Sequence, residues 1–144
     1  MMEIVAFAHA GSTLAMVGVI WFAQVVHYPL FARVGAKGFT YYQAKNLQLT
    51  GLLLGPILFT EGVTALLLVW NPPPGIDPYQ AWAGIALLSV IWISTGLFQM
   101  RFHSILAKGF RDRTHTLLVR TNWIRTIAWS ARGIVALWMV AAMH

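Results

Sequence analysis

Apolar residues fall into four long runs separated by short polar connections. The runs cover roughly residues 4–27, 47–70, 80–103 and 119–142, each near the ~20 residues that a membrane-spanning helix requires. Polar side chains inside the runs recur at helical spacing. His9, Thr13, Met16, Ile20, Gln24 and His27 follow one face of the first run, and Trp92, Thr95, Gln99 and His103 one face of the third. The fourth run carries Asn122, Arg125, Trp129 and Arg132 on a single face, and Glu61 is the one acid inside any run. Lipid cannot satisfy such groups, so the polar faces must meet one another. The pattern predicts an all-α fold: an integral membrane antiparallel four-helix bundle forming a single domain over residues 1–144.

The connections differ in charge. Residues 28–46 hold Arg33, Lys37 and Lys45 with no acid, and residues 104–118 hold Lys108, Arg111 and Arg113, flanked by Arg101 and Arg120. Between the second and third runs lies a proline-rich loop with Asp77 and no basic residue. Basic connections favour the cytoplasmic side. The expected arrangement is a multi-pass protein of the cell membrane with basic loops inside and both termini outside. Phe39, Tyr41 and Tyr42 suit a short helical segment at headgroup level in the first cytoplasmic connection. Trp70 and Trp138 suit an outer aromatic belt, and Trp21 and Trp123 an inner one. His115 is read as a loop residue and His144 as an exposed terminus.

Composition reinforces the membrane reading, with 58% hydrophobic and only 10% charged residues. The net charge of +6 resides in the two basic connections and one helix, a distribution of topology signals rather than of a nucleic-acid surface. Cysteine is absent, which excludes a disulfide framework and thiolate chemistry. The N-terminus has no basic segment and its apolar run is long, so it reads as a retained span rather than a cleaved signal peptide.

Counting ~1.5 Å per residue from the cytoplasmic ends places Glu61 about 21 Å deep and Arg132 about 20 Å deep. A structural ion pair between them is expected, with His9 and Trp92 at similar depth. Pro56 is positioned to kink the second helix just ahead of Glu61. Arg125 then has no acid of its own. Its planar fork of donors matches a carboxylate, a phosphate or a quinone-like carbonyl. Gln24, Gln99 and Asn122 lie near its level and complete the candidate ligand-binding set. His27 and His103 are the candidate catalytic residues, exchanging protons with the ligand. The plainer alternative makes the amides interhelical hydrogen-bond glue and lets Arg101, Arg120 and His103 reach the interface. No metal site is expected, because no HxxxH, ExxH or HExxH spacing occurs.

Two short stretches resemble known small four-span families. Trp21-Phe22-Ala23 followed by Tyr28-Pro29-Leu30-Phe31 resembles the first-helix signature of the small membrane-bound protoporphyrinogen oxidases. His103-Ser104-Ile105-Leu106 through Asn122-Trp123-Ile124-Arg125-Thr126 resembles the anthrone-oxygenase-like family of unknown function. The first resemblance implies haem, for which only His9 carries over as a candidate ligand; Ile85-Ala86-Leu87 stands where that family has a lysine. The second implies His103, Asn122 and Arg125 as pocket residues. Together they imply membrane oxidoreduction; the candidate cofactors are haem, from the first resemblance, and quinone, from the donors of Arg125. The leading expectation is a polar pocket inside the bundle that binds an amphipathic aromatic, quinone-like or lipid ligand. The rival is a non-enzymatic accessory or assembly subunit, whose basic loop meets anionic lipid or a membrane protein partner. A homo-oligomer is compatible with either, and no nucleic-acid partner is expected.

Overall fold

The computed structural model describes all 144 residues. The chain is helical throughout, without a strand. Four stretches, α1 (Met2–Arg33), α2 (Ala36–Trp70), α3 (Pro78–Leu106) and α4 (Asp112–Ala142), are each long and apolar enough to cross a membrane. The breaks between them have local causes. Gly35 takes a positive φ of 83° just before α2, a conformation open mainly to glycine. Three prolines after Asn71 end α2, because they remove backbone donors. Asp77 and Gln80 form a reciprocal capping box that starts α3. Gly75, at φ 92°, lets this loop press on the end of α4: a Cβ there would collide with the Ala142 carbonyl.

Two boundaries differ from expectation. The headgroup-level segment around Phe39–Tyr42 is not a separate helix but the opening turns of α2, which continues unbroken through Pro56 to Trp70. No glycine or proline interrupts the chain between residues 39 and 50, so helix formation simply propagates. Helix α4 likewise begins at Asp112 rather than near residue 119. His115 therefore sits in a helix, not in a loop.

Buried partners on α1 and α2 run in opposite chain order, with His9 on Thr64, Thr13 on Glu61 and His27 on Asn46. On α1 and α4, Trp21 meets Ser130 and Gln24 meets Asn122. Helices α2 and α3 touch least of the neighbouring pairs. Large apolar side chains such as Leu52, Phe59, Leu66, Ile127 and Ile134 point outward, while Thr13, Gln43, Glu61, Gln99, Asn122 and Arg132 are buried. Water would penalise that exterior, whereas hydrocarbon would not.

Each of α1 and α3 contains one π-helical turn, at Ala23–His27 and Thr95–Gln99. Such a turn inserts a residue and shifts the facing register. On α3 the buried face therefore runs Leu88, Ile91, Ser94 and then Gln99. Extrapolating back from Gln99 at regular α spacing had placed Trp92 inward. It is instead 57% exposed, so Trp92 does not join the deep polar group.

Candidate functional site

The deep site is closed. Arg132 Nε donates to Glu61 Oε1 at 3.0 Å, and both side chains are at most 1% exposed. The Trp129 indole donates to the two carboxylate oxygens at 3.1 and 3.3 Å, and the Thr13 hydroxyl donates to Oε1 at 3.3 Å. Arg132 Nη1 also donates to the Gly84 carbonyl, tying α3 into the same centre. His9 Nδ1 lies 3.1 Å from the Thr64 hydroxyl, whose own proton goes to the Thr60 carbonyl at 2.7 Å. His9 therefore donates through Nδ1. It braces α1 on α2.

The second site is open. A cavity of about 780 Å³ lies among α1, α2 and α3, with Arg125 reaching it from α4. Met16, Ile20, Leu47, Leu54 and Leu58 supply apolar wall; His27, Tyr28, Asn46, Thr50, Gln99 and His103 supply polar groups. Arg125 has no salt bridge, and its Nε is buried without a partner. Its guanidinium lies 5.2 Å from the centre of the Trp129 ring, a cation–π contact, and the Tyr28 phenol stands beside it. Trp129 thus joins the two sites, with its N–H on Glu61 and its face under Arg125.

Behind the cavity runs a chain of side chains that sequence reading had not connected. His27 Nε2 is 2.8 Å from Asn46 Oδ1; Asn46 Nδ2 donates to Gln43 Oε1 at 3.3 Å. Gln43 Nε2 is 2.9 Å from His103 Nδ1, and His103 Nε2 is 3.2 Å from the Tyr28 hydroxyl. Both candidate histidines belong to this one network. His103 meets the cavity flanked by Gln43 and Tyr28, and His27 is enclosed in an aromatic group whose hub is Phe31, at a ring separation of 5.1 Å.

Gln24 and Asn122, grouped with the ligand contacts from sequence, do not line the cavity. Gln24 donates to the Val119 carbonyl at 3.1 Å and accepts from Asn122 Nδ2 at 2.9 Å, joining α1 to α4. Gln99 does line it, but its Nε2 is held by Thr121 Oγ1 at 3.0 Å and its Oε1 is buried and unpartnered. His115 donates to the Tyr28 carbonyl at 2.7 Å, fastening the start of α4 to the end of α1 where Pro29 follows.

Tyr28, Gln43 and Asn46 were missed for two reasons. The π turn in α1 carries the buried face from Gln24 to Tyr28 and Phe31, whereas regular spacing pointed to His27. Gln43 and Asn46 fell in a stretch read as connection. The spacing Phe39, Gln43, Asn46, Thr50 was nevertheless a helical face. No group of three or more metal-ligating side chains is present. Comparison with family models, with curated proteins and with solved structures gives no match.

Proposed function

We propose that the chain is a multi-pass protein of the cell membrane, an antiparallel four-helix bundle with its basic connections on the cytoplasmic side and both termini outside. Its cavity binds an amphipathic aromatic, quinone-like or lipid molecule. The observation that carries this reading is Arg125, a cation without an anionic partner at the edge of a largely apolar cavity. A charge in such surroundings is costly unless it is paired or hydrated, and its fork of donors suits an oxygen-bearing head group. Tyr28, His103 and His27 supply polar neighbours, and the apolar walls suit the body of the molecule. The short resemblances to families associated with membrane oxidoreduction make redox chemistry on the bound molecule the enzymatic form of this reading.

Protein purified in mild detergent and extracted with organic solvent should release a hydrophobic small molecule. Arg125→Leu should lose it while circular dichroism and gel filtration remain those of the parent. Equal retention by the variant would refute the reading. Absence of any extractable molecule, with another membrane subunit co-purifying, would instead favour the accessory-subunit role.

A further inference from the structure

Charge balance narrows the ligand further, given the binding role above. The chain has four acids. Glu3, Asp77 and Asp112 are exposed near the helix ends, and Glu61 is occupied by Arg132. No carboxylate is left for Arg125. A neutral carbonyl would occupy its donors but leave its charge unbalanced, while an anionic head group would satisfy both.

The neighbouring network supplies a second donor. Asn46 Oδ1 stands 3.2 Å from the Thr50 hydroxyl and 2.8 Å from His27 Nε2, with its Nδ2 toward Gln43; with the amides in this orientation the donors run one way. Gln43 Nε2 then donates to His103 Nδ1, which leaves the proton of a neutral imidazole on Nε2. His103 donates that proton to the Tyr28 oxygen. In that orientation the Tyr28 hydroxyl proton is left free to donate, and the phenol lies beside Arg125 on the cavity wall.

We infer that Tyr28 and Arg125 together form a clamp for one monoanionic oxygen head group, carboxylate or phosphodiester, carried on an apolar chain in the cavity. His103 is a positioning residue in this arrangement. From the cavity wall it orients the Tyr28 hydroxyl through their 3.2 Å contact.

The test uses full-length protein in phosphatidylcholine nanodiscs at alkaline pH, with dodecanoate and dodecan-1-ol as probes matched in chain length. Dodecanoate should be retained about tenfold more strongly than the alcohol, as a charge-assisted hydrogen-bonded pair implies. Arg125→Gln should abolish that preference, and Arg125→Lys should keep part of it. Tyr28→Phe should reduce dodecanoate retention several-fold and leave the alcohol unchanged. His103→Leu should behave as Tyr28→Phe does, while His103→Gln, which keeps a donor near Nε2, should restore retention. Repeating the measurement with phosphatidylglycerol in the nanodisc separates the two sources. Displacement of dodecanoate supports a phospholipid head group, and its persistence supports a free acid. Equal retention of acid and alcohol by the parent protein would overturn the clamp and leave the binding role standing. Retention of neither probe, with nothing extractable from the purified protein, would overturn both.

Discussion

Arg125 and Arg132 stand two turns apart on one face of one helix, yet their surroundings have little in common. Around Arg132 a carboxylate, an indole, a hydroxyl and a backbone carbonyl from all four helices converge. Around Arg125 there is an aromatic face, a phenol and a cavity. The same side chain is thus paired with a carboxylate in one place and with none in the other, although each guanidinium keeps one buried nitrogen without a partner; in the proposed reading the first is a strut and the second a receptor. Trp129 touches both, with its N–H on Glu61 and its ring face under Arg125.

The largest expected effect is at the closed site. Glu61→Ala leaves Arg132 buried without its counter-charge, and breaking a buried pair typically costs ~3–5 kcal/mol. A loss of that order should appear in thermal unfolding in detergent. Replacing both partners with leucine should recover much of the loss, because apolar residues of similar volume often substitute for a buried pair. A double variant as unstable as Glu61→Ala would show that the centre contributes through its wider hydrogen bonds rather than through charge. Trp129→Phe is expected to cost less, roughly 1.5–3 kcal/mol, the usual contribution of a hydrogen bond to a charged group. The phenyl face left under Arg125 should preserve ligand retention in that variant. Loss of retention there would mean that the two sites are not separable.

The closed site was legible in the sequence because its ingredients are rare and regular. One acid and an arginine at matching depth leave few alternatives once four helices are recognised. The open site was legible only at Arg125, Gln99 and the two histidines. Helical spacing is a reliable guide to facing residues only while the helix stays α, and both π turns lie beside the cavity. They turned Tyr28 inward and Trp92 outward without any change in hydropathy that a linear reading would register. Gln43 and Asn46 were obscured for a different reason. Basic and aromatic neighbours made residues 28–46 look like a connection, although α2 had already begun. Hydropathy locates the apolar part of a helix, and it says little about how far the helix extends beyond it.

The smallest stability effect should come from Arg125, the residue on which the proposed binding role rests. Arg125→Met removes a charge that no carboxylate compensates, and the flexible thioether can lie along the same apolar wall. The lost cation–π contact, about 0.5–2 kcal/mol, is offset by relief of the desolvation cost of the guanidinium. The net change in unfolding free energy should therefore fall within about 1 kcal/mol of zero, against several for Arg132→Met, which strands Glu61. The two variants alter the same residue type on the same helix face, so paired thermal melts of ligand-free protein isolate the surroundings as the cause. Equal destabilisation would mean that Arg125 is as firmly built into the fold as Arg132, and the division between strut and receptor would fail.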